Sequence, residues 1–183
     1  MRRILLSVAM LGFAGLFISC SAPAEMTEQK NETQKKVSSY PSWYPQQEFV
    51  SDANNFFAYA SAIDGDSAAS VEKAKSWAVE QLKSSVSDKL EQIRSEAVVE
   101  LGSESGLGDP KFLMALRKVN EAVDPLVETG NTETMSVEGY ESVRGFAEVS
   151  VPKDELIKRI GKRLGGHEKA WNAMKESKAF SDF

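Results

Sequence analysis

Cysteine occurs once in these 183 residues, and so does histidine. A single thiol excludes any intrachain disulfide, and with it the cross-linked frameworks that stabilise many small exported domains. The lone histidine, His167, stands just past Gly165-Gly166, with no cysteine or carboxylate cluster at ligand spacing. A zinc signature is therefore missing, and a Ser-His-acid triad would depend on this one residue of the tail. His167 reads as a loop or cap residue. Gly102, Gly106 and Gly108 lack the strand-then-helix context and the lysine that a phosphate loop needs, so they read as turns. Acidic residues outnumber basic ones, 27 to 22, which argues against a nucleic-acid partner. On the helical stretches Asp and Glu alternate with Lys and Arg as solvated faces do, and no pair of carboxylates stands out for glycoside chemistry. The sequence assigns no catalytic residue, no metal ligand and no cofactor, and the chain is expected not to be an enzyme.

Even in the first nineteen residues there is no apolar run long enough to span a bilayer comfortably. Within them, Arg2 and Arg3 precede an apolar stretch from Ile4 to Ile18, the charge and length layout of an export signal. The stretch closes on Phe17-Ile18-Ser19-Cys20, which resembles the lipobox of bacterial lipoproteins. The resemblance implies cleavage before Cys20 and a palmitate-bearing lipid anchor on its thiol, a membrane contact made through lipid rather than through a helix. Three acyl chains would hold firmly where one holds only marginally. Ser21 follows in place of the Asp that retains such proteins at the inner membrane of enteric-type bacteria, so the expected place is the outer membrane, with the domain in the periplasm or at the cell surface. Cleavage would remove Arg2 and Arg3 and take the net charge from −5 to −7.

From Ser21 to Ser39 only Ala22, Ala24, Met26 and Val37 are apolar besides Pro23, too little to offset the entropy of folding. This stretch is expected to be a tether with a root-mean-square reach of roughly 24 Å and a contour limit of about 60 Å. Tyr40-Pro41-Ser42-Trp43-Tyr44-Pro45 ends it with three aromatics and two prolines, a stiff extended segment whose rings should lie on a surface. Trp43 and Tyr44 are candidate interaction residues; the competing reading packs them on their own domain.

The folded part is organised by the stretch from Ser67 to Gly102. Ala74, Ala78, Leu82, Val86, Leu90, Ile93, Ala97 and Leu101 recur at steps of three or four without an interrupting Gly or Pro. That spacing predicts one long amphipathic helix, N-capped by Asp66 or Ser67 and closed at Gly102. Before it, Phe56-Phe57-Ala58-Tyr59-Ala60-Ser61-Ala62 reads as a strand whose small residues Ala58, Ala60 and Ala62 share one face and let a helix lie close. A helix over 67–101 is about 52 Å long, whereas a strand of about eight residues covers about 26 Å. The far half of the stripe, Leu90 to Leu101, is therefore expected to be covered by a second helix folding back, or by another subunit. That second helix should open at Asp109-Pro110, carry Phe112, Leu116, Val119 and Val123, and end at Pro125. Two strands joined near Gly139 fit Gly130 to Val151, and a third helix starts at Pro152-Lys153 and stops at Gly165-Gly166. Residues 167–183 add a short helix. Trp171 there is a third candidate interaction residue, with packing on the domain as the competing reading.

The resulting fold is α+β, a long helix on a small three-stranded antiparallel sheet with additional helices. Four parts follow: a signal peptide over 1–19, a lipidated N-terminus and tether over 20–40, the α+β domain over 41–166 and a helical tail over 167–183. Pro41-Ser42-Trp43 with Pro45, the run from Phe56 to Ala62, the Ala74, Ala78, Leu82 ladder and Val149 to Leu156 carry a resemblance across residues 41–164. The chain resembles the Helicobacter-type twenty-kilodalton lipoproteins and related flagellum-associated outer-membrane lipoproteins. That likeness implies a dodecin-like helix on an antiparallel sheet and a non-enzymatic role at the cell envelope, in some members at flagellar basal structures. The leading expectation is a structural or interaction lipoprotein that associates with itself or with an envelope assembly. The alternative is a periplasmic module that binds a small lipid or glycan between helix and sheet.

Overall fold

The computed structural model describes residues 39–183, and the signal peptide, Cys20 and the tether before Ser39 lie outside them. The described chain is α+β: a long helix and three shorter ones pack with a four-stranded antiparallel sheet. Strands β1 (Phe49–Ser51) and β2 (Asn55–Asp64) come first, and helix α1 (Ser67–Leu101) follows β2 directly. Helix α2 (Pro110–Leu116), strands β3 (Glu128–Ser136) and β4 (Val143–Pro152), and helices α3 (Lys153–Arg163) and α4 (Glu168–Glu176) complete the order. In the sheet the strands lie β1-β2-β4-β3. The expected three strands become four because β1 is present; three residues between Glu48 and Asp52 are too few to show a two-residue alternation.

α1 forms where its stripe predicts. Asp66 caps it, its carboxylate accepting from the Ala69 N–H at 2.9 Å, and Gly102 closes it at a positive φ of 75°. Ser70, Ala74, Ala78, Leu82, Val86, Leu90, Ile93 and Ala97 are its buried residues. Leu101, expected on the stripe, lies off it at 41% exposure. The register of β2 on β4 puts Ala58 opposite Val149, Ala60 opposite Ala147 and Ala62 opposite Gly145. The side chains of those pairs share the helix-facing side of the sheet. Ala62, Ala74 and Ala147 form one small cluster, while Leu82, Val86 and Leu90 join Phe56, Val149 and Val151 in the main core. The buried residues at the N-terminal end of the helix, Ser70, Ala74 and Ala78, are thus small, and larger ones follow from Leu82 to Ile93.

The far half of the stripe is covered, though not by a hairpin. α2 stops at Leu116 instead of Pro125, and the chain turns at Arg117–Lys118 into a short 3₁₀ segment, Val119–Ala122. Three residues per turn put Val119 and Ala122 on one side, and both are buried together with Val123. Pro125 lies inside a further 3₁₀ turn, Asp124–Leu126. α1 packs against α4 and a C-terminal 3₁₀ turn (Lys178–Asp182) as well as against α2. Leu90, Ile93 and Ala97 are at most 3% exposed, in one core with Leu107, Phe112, Trp171, Met174 and Phe183. The oversized helix is lidded by its own chain and does not call for a second subunit.

The tail is therefore part of the domain core. Trp171 is only 5% exposed, stands edge-on to Phe180 with centroids 5.6 Å apart, and is a core residue rather than a docking one. His167 is the N-cap residue of α4, its ring 6.0 Å from Phe112.

Candidate functional site

Because successive side chains alternate across a strand, Tyr59, Ser61 and Ile63 of β2 and Arg144, Phe146 and Glu148 of β4 occupy the face away from α1. Tyr40–Pro45 crosses that face. Tyr44 stands edge-on to Phe146 at 5.2 Å and to Tyr59 at 6.1 Å, and stacks on Tyr40 at 5.6 Å. The Arg144 guanidinium lies 5.8 Å over the Tyr40 ring. Trp43 reaches β3, where its indole N–H donates to Glu133 Oε2 at 3.0 Å. These rings bury Phe146 completely. Trp43 and Tyr44 thus pack on their own sheet and are brought together, Trp43 edge-on to Tyr44 at 5.9 Å, while Trp171 lies in the core on the opposite side.

The aromatic segment borders a gap in the sheet. β1 pairs with only three residues of β2, Phe56 to Ala58, and the Tyr59 N–H adds one bond to Glu48 O at 2.9 Å. In an antiparallel pair the hydrogen-bonding groups of every second residue point to the same neighbour. Ser61 and Ile63 therefore point their N–H and C=O the same way as Tyr59, and no backbone partner among the described residues meets them there. A groove of about 600 Å³ runs beside this free edge, lined by Tyr40, Pro41, Tyr44, Pro45, Glu48 and Ser61. It is continued by a second, about 300 Å³, where Tyr59, Trp77 and Gln81 join Tyr44 and Ser61. Trp77 is 57% exposed and Ile63 48% exposed.

Burial holds the Tyr44 phenol above its ordinary range, against a hydrogen bond with Ser61 that lowers it. Burial and the neighbouring Glu148 carboxylate push Tyr59 up to about 12. Both phenols stay protonated over the physiological range, Tyr44 hydrogen-bonded to Ser61 and Tyr59 to Glu148.

The sequence reading missed Trp77 and the free edge. An indole between Ala74 and Ala78 but off the stripe was the available signal for Trp77, since the solvent face of a helix has no packing reason to hold one. The helix–sheet interface offers no groove where Gly145 meets α1, since a Cβ there would lie 2.4 Å from the Ser70 carbonyl carbon. Among the described residues, no group of three His, Cys, Asp or Glu side chains is placed to hold a metal, and no buried side-chain polar atom lacks a hydrogen-bond partner. No described helix is long and apolar enough to cross a membrane. No protein-family model, no curated protein and no solved structure matches the chain.

Proposed function

We propose that this chain is a non-enzymatic, lipid-anchored envelope protein, held on the outer membrane through Cys20, whose domain takes up an extended segment of another envelope protein along the free edge of β2. The observation that carries the interaction role is that edge, where among the described residues the backbone groups of Ser61 and Ile63 have no strand to pair with, beside a groove lined by Tyr44, Tyr59 and Trp77. An added strand would satisfy those groups, and the neighbouring rings would receive its alternate side chains. Anchoring is supported by Arg2, Arg3 and the Phe17-to-Cys20 motif. The likeness to flagellum-associated lipoproteins makes an envelope assembly the partner class to test first. Self-association loses its original argument, because α1 is covered within the chain.

Palmitate labelling and membrane fractionation test the anchor: Cys20→Ala should abolish labelling and leave the precursor unprocessed, and unchanged labelling overturns it. A photocrosslinker at Trp77 tests the edge. In cells it should give a discrete adduct that disappears with Ile63→Lys, a charge placed at an unpaired strand edge to block strand addition. An adduct indifferent to Ile63→Lys, or none at all, overturns the edge as the docking site.

A further inference from the structure

The acidic balance of the chain hides an uneven distribution of its cations. On α1 three of the five cations are neutralised one turn away, Lys75 by Glu72 at 2.8 Å, Lys83 by Glu80 at 3.1 Å and Arg94 by Glu91 at 2.6 Å, and Lys73 pairs with Asp64. α3 departs from that pattern. Asp154 and Glu155 occupy its first turn, and every charged residue after them is a cation: Lys158, Arg159, Lys162 and Arg163. All four are exposed, and the helix buries Leu156 and Ile160.

These four cations line one open groove with Leu126 and Glu155, and Arg163 lines a second with Lys118, Ala115 and Met114. Sharing Arg163, the grooves make a single face. Two of its cations are paired, Lys158 with Glu155 and Arg163 with Glu121, each at 2.8 Å. Lys118, Arg159 and Lys162 make no ion pair with any described residue. The dipole of α3 accounts for Lys162 and Arg163 in its last turn, but not for Arg159 one turn earlier or for Lys118 beyond the end of α2. Met114, 63% exposed, supplies an apolar side chain beside the cations.

We propose that this face rests on the phosphate headgroups of an anionic membrane. Unpaired Lys and Arg beside an exposed apolar side chain match the two attractions of a lipid interface, charge for the headgroups and apolar area for the acyl boundary. The assignment rests on the membrane anchoring proposed above, which would hold the domain within about 60 Å of the bilayer by the contour of the tether. Each cation near an anionic leaflet favours partitioning about fivefold, so three unpaired ones favour it on the order of a hundredfold, over a range set by the Debye length of about 8 Å.

The test uses the chain from Ser21 onward, without lipid, since every described core residue lies within 39–183. It is sedimented with vesicles of phosphatidylcholine alone or mixed with phosphatidylglycerol. Binding is expected only to the mixed vesicles and should fall as salt rises. Arg159→Gln with Lys162→Gln, both exposed and without described ion-pair partners, should weaken it about twenty-five-fold. Lys75→Gln with Lys178→Gln, an equal loss of charge elsewhere, should leave it within about twofold. No binding to mixed vesicles, equal binding to both kinds, or equal loss in the two double variants overturns the proposal. Failure of the anchor would show instead in palmitate labelling of the full chain, which these vesicles do not read.

Discussion

Gly145 of β4 lies under the first turn of α1 so closely that a Cβ on it would stand 2.4 Å from the Ser70 carbonyl carbon and 2.5 Å from the Val71 amide nitrogen. Both are backbone atoms of a helix held by its cap, so neither can swing aside as a flexible side chain would. Gly145→Ala must lift the N-terminal end of α1 off the sheet and loosen Ala62, Ala74 and Ala147 beneath it. Overpacking of this kind costs about 1–3 kcal/mol, and a clash with backbone belongs at the upper end. Urea unfolding should show it as a fall in midpoint. Gly130→Ala is the control, because its Cβ would meet only the end of the Glu148 side chain at the exposed edge strand. A Gly145→Ala midpoint equal to that of the control would contradict the close approach.

The legible parts of the fold are those written in short-range pattern. Eight apolar residues at helical spacing with no Gly or Pro among them specify α1, and Asp66 and Gly102 specify its ends. Asp109-Pro110 opens α2, and Gly139, at a φ of 80°, sits in the turn between β3 and β4. What stayed hidden depends on packing between distant residues. Nothing local in Arg117–Lys118 stops α2, and no periodicity tells Phe183 to cover Phe56. The candidate site divides the same way: the rings and prolines of Tyr40–Pro45 mark a surface segment, but the sheet face that receives them does not show. A free strand edge is least legible of all, because it is defined by the strand that fails to pair with it.

Phe183, at the very end of the tail, stands edge-on to Phe56 of β2 with centroids 4.9 Å apart and stacks on Phe180 at 5.3 Å. It is 5% exposed, so Phe183 is a core residue. The same turn is tied to α1, where the Lys178 N–H donates to Glu100 Oε2 at 3.0 Å. Phe183→Ala should cost about 3 kcal/mol, as expected for emptying a buried aromatic site. Phe183→Leu, which keeps most of the volume, should cost about 1 kcal/mol. Calorimetry of the two variants checks this, and equal losses would mean that the tail end is not packed on β2.

Tyr59 offers a test of the aromatic face through pH. Burial, then the Glu148 carboxylate, push its phenol from the ordinary 10.0 up to about 12, so the fold favours the protonated form. A raised folded-state value contributes stability that is complete below the unfolded pKa, near 10, and is lost as pH climbs through about 12. Tyr44 is shifted the same way by burial and acts in the same direction. Tyr59 should therefore ionise late, near pH 12, when tyrosinate absorbance is followed from pH 9 upward. Tyr59→Phe should remove that late step and make the fall in stability between about pH 10 and 12 shallower. If the Tyr59 phenol ionised near pH 10 instead, the packing of Tyr44 over Tyr59, and with it the wall of the groove beside the free edge, would have to be redrawn.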